Sequence, residues 1–166
     1  MVEMEENISG EWSKVESQYQ RRADLIPNLV STVKGYAAHE TLEGVIEARS
    51  KATSTTIDAS NLTAENIQQF QAAQGSLTSA LSKLMVVVER YPDLKANQNF
   101  LELQAQLEGT ENRIAVARDR FNAAVKEYNT IIRKFPKNIT ASMFGFEKNA
   151  YFEAEEGASK APKVEF

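Results

Sequence analysis

Residues 100–135 read FLELQAQLEGTENRIAVARDRFNAAVKEYNTIIRKF, and their spacing points to the fold class. Phe100, Leu103, Leu107, Thr110, Ile114, Ala117, Phe121, Ala124, Tyr128, Ile131 and Phe135 follow one another at alternating steps of three and four. A 3.5-residue repeat held this long lays a single seam along one helix, as in a coiled coil or a left-handed bundle. At a rise of 1.5 Å per residue such a helix is roughly 60 Å long, so it must pack lengthwise against another long helix. Pro136 ends it, because proline lacks the N–H and crowds the preceding turn.

The N-terminal third supplies the partner. Ile8, Trp12, Val15, Tyr19, Arg22, Ile26, Leu29, Val33 and Tyr36 take the same steps, and the pattern loosens after Gly35 but continues through Leu42, Ile46, Arg49 and Ala52. This predicts one long helix, kinked rather than broken at Pro27. Residues 53–61, rich in Thr, Ser, Asp and Asn, read as a loop. Thr63 then reads as an N-cap, with Leu62 and Ile67 as a hydrophobic staple. The next stripe is Ile67, Phe70, Gln74, Leu77, Leu81, Leu84, Val88 and Tyr91; Pro92 stops this helix and Asp93 is placed to cap the following one. Beyond Pro136, Asn138 or Thr140 starts a short fourth helix over residues 141–148, and the acidic tail from 151 onward is expected to be partly ordered at most. The expectation is an all-α fold: an elongated antiparallel bundle of three long helices plus a short C-terminal fourth helix or segment.

Composition narrows the function. A chain of 166 residues with 42% apolar side chains suits one globular domain with a real core. A net charge of −4 argues against a nucleic-acid module, which shows a basic face. The absence of cysteine removes disulfides, thiolate metal sites and cysteine nucleophiles together. The longest apolar run, residues 84–88, is far short of the roughly 18 residues that span a bilayer, and residues 1–6 are acidic rather than signal-like.

Catalytic chemistry has little to work with. The ferritin-like di-metal site needs Glu-x-x-His on two helices, but the one histidine, His39, follows Tyr36 at that spacing. His39, Glu40 and Glu43 form either a weak surface metal site or a solvated face, and the sequence favours the latter. There is no Gly-rich phosphate loop. No catalytic, metal or cofactor residues are therefore expected. The polar interruptions of the seams say more. Arg22, Gln74 and Thr110 break otherwise apolar stripes, and Glu111 adjoins Thr110. Arg22 either pairs with Glu111 as a buried register device or snorkels from the seam edge to water. Phe144, Phe146, Tyr151 and Phe152 either dock a partner or cap the core. The glycosylation-like triplets at residues 61–63 and 138–140 fall at helix starts, where capping explains them.

Residues 20–30 (QRRADLIPNLV), 32–36 (TVKGY) and His39-Glu40 closely resemble the bacterial LemA family, as do residues 91–97 with Phe100 and residues 106–107 with 110–114. The likeness continues through Phe121-Asn122, Tyr128-Asn129, Phe135-Pro136 and residues 162–166, in one order over the chain from about Trp12 to its end. This resemblance implies a helical bundle held in the inner membrane by an N-terminal transmembrane helix that this chain lacks. Residues 1–7 would then be the remnant behind the missing anchor, residues 8–152 the bundle and residues 153–166 the tail. It further implies a cytoplasmic bundle, no known enzymatic activity and no catalytic residues to carry over. The expected function is a non-enzymatic, membrane-tethered scaffold or protein-binding module of the cell envelope, with other envelope proteins as partners and no nucleic acid. The alternative is a lipid-interacting bundle acting at the membrane surface. Candidate partner-binding residues are Arg21, Asp24, Asn28 and Lys34 on the first helix and Val164 and Phe166 in the tail.

Overall fold

A computed structural model describes residues 1–134 and 136–152. Among the described residues six helices follow one another: α1 (Val2–Val33), α2 (His39–Ser54), α3 (Ala64–Val88), α4 (Pro92–Lys95), α5 (Gln98–Arg133) and α6 (Lys137–Met143). Among the described residues there is no strand. The helices pack as an elongated bundle. Glu5 meets Tyr128 while Arg22 meets Glu111, so α1 and α5 run antiparallel along most of their length. On α3, Phe70 lies against Trp12 and Gln74 against Arg22, so α3 runs in the same sense as α1.

The long first helix expected from the repeat is two helices. The chain does not break at Pro27, which sits inside α1, but turns at residues 34–38 and returns as α2. The apolar spacing survives that turn because α2 also faces the core. A run of steps of three and four cannot distinguish a straight helix from one folded back over a few residues. The reversal moves the buried stripe of α2 to Leu42, Val45, Ala48 and Ala52, and leaves Ile46 exposed.

Pro27 is accommodated by a partner from outside its own helix. Proline has no N–H to give the carbonyl four residues back, which here is that of Ala23. Arg49 Nε of α2 donates to the Ala23 carbonyl at 2.8 Å, supplying the missing donor and tying α2 to α1 at that level.

The caps follow local chemistry. Thr63 Oγ1 accepts from the Asn66 N–H, and Leu62 and Ile67 are both buried, as the staple predicts. Asp93 is not the cap of the helix that follows. Pro92 opens the one-turn α4, and α5 is capped by Asn97, whose Oδ1 accepts from the Phe100 N–H. The fourth helix spans Lys137–Met143, earlier than residues 141–148, because Pro136 is its N-cap. At the far end from residue 1, Tyr36 and Tyr91 leave the seam and pair edge-to-face, their ring centroids 5.5 Å apart. Both are more than a third exposed.

The core falls into two apolar clusters along the bundle axis. One holds Trp12, Phe70, Phe121 and Tyr128, and the other Leu29, Val45, Leu84 and Phe100. Beyond the end of α2, the chain after α6 takes the place of a fourth helix. Phe152 stacks on Trp12 and meets Phe70 and Phe121 edge-to-face.

Candidate functional site

Between the two apolar clusters lies a polar layer. Arg22 on α1 is 2% exposed, and Gln74 on α3 and Thr110 on α5 are buried at the same level. The Arg22 guanidinium makes four hydrogen bonds: Nη2 donates to Gln74 Oε1 at 2.8 Å and to the Gln74 carbonyl at 3.0 Å. Nη1 donates to Thr78 Oγ1 at 2.9 Å and to Glu111 Oε1 at 3.0 Å. The guanidinium also lies 5.2 Å from the Tyr19 ring centre, while its Nε is buried without an acceptor. The structure thus brings Arg22 and Glu111 together. Glu111 reaches the pair from the surface, its side chain 49% exposed. An arginine cannot give up its proton in a protein, so this buried cation is no acid–base catalyst. From α1 its Nη donors reach α3 and α5 at one level, an arrangement that suits fixing how the three helices slide past one another.

The first-helix candidates divide. Arg21, Asp24 and Asn28, three or four residues apart, share one exposed stripe of α1. Arg21 and Asp24 line an open groove of about 580 Å³ between α1 and α5, with Leu25, Gln106, Gly109 and Arg113. Gln20 Nε2 donates to Asp24 Oδ1 at 2.9 Å. Lys34 is exposed but stands apart, at the C-cap where the chain turns toward α2. Val164 and Phe166 lie outside the described residues.

Other candidate groups resolve case by case. His39 Nε2 sits 2.8 Å from Glu43 Oε1 on the open face of α2, both side chains largely exposed. Glu40 lines a depression between α2 and α3, beside Gly44, Ala48, Gly75 and Lys83. Among the described residues no three His, Cys, Asp or Glu side chains are close enough to hold a metal ion. Of the aromatic cluster, Phe152 is core and Phe146 half-buried against it, while Phe144 is 72% exposed.

Two asparagines on α5 carry a role the repeat did not reveal. Asn129 Oδ1 accepts from the Asn149 N–H at 2.8 Å and its Nδ2 donates to the Asn149 carbonyl at 3.0 Å. Asn122 treats Phe152 in the same way, at 2.9 and 3.4 Å. Each amide offers one acceptor and two donors, so it pairs with a whole backbone residue as a neighbouring strand would. The signal was the Phe121-Asn122 and Tyr128-Asn129 pairs, one heptad apart. Nearby, Tyr128 donates to Glu5 Oε1 at 3.1 Å, and burial, with Glu5 beside it, pushes the phenol up to about 12.

Residues 11–166 match the LemA family along nearly the whole bundle. The chain belongs to the LemA family. Magnetosome protein MamQ 2 of Paramagnetospirillum magneticum is 29% identical to it, over 98% of this chain and 66% of that protein. Magnetosome protein MamQ of Magnetospirillum gryphiswaldense is 28% identical over the same shares. Protein LemA of Metamycoplasma hominis is 25% identical, over 87% of the chain and 63% of that protein. The chain therefore spans about two thirds of the length of these curated relatives. Within this LemA-family bundle, the motif at residues 20–36 has two faces. Arg22, Ile26, Leu29 and Val33 point into the core, while Arg21, Asp24 and Asn28 point out. No described helix is long and apolar enough to cross a membrane.

Proposed function

We propose that this LemA-family chain is a non-enzymatic scaffold of the bacterial envelope that binds other proteins through the side of its bundle, tethered to the inner membrane and facing the cytoplasm. The observation that carries the reading is the division of labour along α1. Its buried arginine is spent on internal bonds. The neighbouring Arg21, Asp24 and Asn28 stand exposed in a row, two of them lining the groove beside α5. Exposed polar side chains on a rigid support can serve as the polar rim of an interface, here around the half-buried Leu25 in the groove. The tail residues Val164 and Phe166 form a second arm of the proposal, as alternating apolar residues that add to an edge or groove on a partner.

The test is site-specific photo-crosslinking in cells, with the probe at Asn28 in the groove stripe and, as control, at Glu102 on the exposed face of α5. The expected result is a discrete adduct from position 28 that Arg21→Glu abolishes and that position 102 does not give. Equal labelling from both positions refutes the groove. Deleting residues 163–166 tests the tail separately, since an unchanged set of partners discards it.

A further inference from the structure

The end of the bundle that holds residue 1 also carries α6, and the apolar side chains of α6 point the wrong way for a core helix. Ala141 is the buried residue of α6 and joins the cluster of Ile8, Tyr128 and Ile132, against which Met1 and Met4 also pack. Ile139 and Met143 each stand two positions from Ala141, about 200° around the helix, so they project from its outer side. Ile139 is 52% exposed, Met143 77% and Phe144 72%.

This ridge is held in place. Gly145 adopts a φ of 73°, the Phe146 N–H bonds to the Ala141 carbonyl and the Gly145 N–H to that of Ser142. That is a Schellman stop, which turns Phe146 inward onto the core and leaves Phe144 outside. The chain charges nearest the ridge are basic, with Glu127 and Glu147 bounding the stretch on either side. From residue 128 to 146 the chain contains Arg133, Lys134 and Lys137 and no acidic residue, and all three cations are exposed.

We propose that α6 and the Phe144 turn form a membrane-contact site, with Ile139, Met143 and Phe144 seated in the interfacial layer of an anionic bilayer and Arg133, Lys134 and Lys137 at its phosphates. A protruding apolar ridge beside cations matches what an interface of acyl chains and anionic headgroups accepts. Glu3, Glu5 and Glu6 of α1 and Glu147 lie at the same end, so the ridge supplies most of the attraction and only the cations nearest it bias it toward anionic lipid. The site goes beyond the scaffold reading and can fail without it.

The test is co-sedimentation of the 166-residue chain with vesicles of phosphatidylcholine alone and with added phosphatidylglycerol. The chain is expected to favour the anionic vesicles. Ile139→Ser/Met143→Ser/Phe144→Ser lowers partitioning by at least about tenfold on both, since three exposed apolar side chains no longer insert. Lys134→Glu/Lys137→Glu removes only the preference for anionic lipid. Because the chain has no cysteine, Phe144→Cys carrying a polarity-sensitive dye gives a second readout. Its emission shifts to the blue on adding vesicles, whereas the same dye on Lys14→Cys does not respond. The proposal is overturned if the wild type ignores both vesicle types, if the triple serine variant partitions unchanged, or if the ridge drives self-association instead.

Discussion

The bond from Arg49 to the Ala23 carbonyl can be measured against the proline that makes it necessary. Ala23 is 3% exposed, so its carbonyl, deprived of the Pro27 N–H, has no ready access to water. Arg49→Met removes the charged donor that replaces it and should cost about 1.5–3 kcal/mol, the range for hydrogen bonds to charged groups. In a chain of this size each kcal/mol shifts Tm by about 2–4 °C. Pro27→Ala restores an N–H at the right position, and by itself should stabilise α1. In that background the carbonyl is satisfied from within the helix, so Arg49→Met should cost less than about 1 kcal/mol, mostly lost packing. The four proteins form a double-mutant cycle, read by urea unfolding followed by far-UV circular dichroism. A coupling energy of at least about 1 kcal/mol is expected. If Arg49→Met costs the same with and without Pro27, the two residues act independently and the explanation of the unbroken helix is wrong.

The polar layer invites a similar cycle: Arg22→Met orphans Gln74 and Gln74→Leu strips the buried cation of one partner, each costing about 1–3 kcal/mol. The double variant leaves neither group unpaired and recovers part of the loss, with Thr78, Thr110 and Glu111 still in place. Strict additivity in urea unfolding would count against a coupled layer. Phe152→Ala should cost about 3–5 kcal/mol and weaken the near-UV signal of Trp12, because its ring completes the aromatic cluster. Thr63→Ala should cost about 1 kcal/mol through loss of the cap, whereas Asp93→Ala, which caps nothing in α5, should stay within about 0.5 kcal/mol by thermal melts. With its phenol raised to about 12 in the folded chain, Tyr128 contributes stability that is intact below about pH 10, the unfolded value, and is lost as pH climbs toward 12. The slope of stability between those limits should therefore be shallower in Tyr128→Phe than in wild type.

Helix content, the seam of α5 from Phe100 to Tyr128 and the cap at Thr63 were legible because they depend on spacing and on residues within one turn of each other. Past Tyr128 the buried position is Ile132 rather than Ile131, and Phe135 lies outside the described residues. The seam also placed Arg22, Gln74 and Thr110 on core-facing stripes, and left open whether the arginine turned inward or snorkelled to water. The reversal at residues 34–38 was not legible, because both arms of a hairpin present the same period to a shared core. Nor was the choice of Asn97 over Asp93, since both stand where a cap can act and the extra turn of α4 decides between them.

That the chain is helical, which stripes are apolar and which family it belongs to all follow from local periodicity and residue order. Packing in three dimensions was needed to see that Arg49 answers Pro27, that Asn122 and Asn129 clamp the returning chain, and that Ile139, Met143 and Phe144 face outward. Each depends on which groups of segments far apart in the chain come to lie against one another, and spacing along one helix carries no information about that.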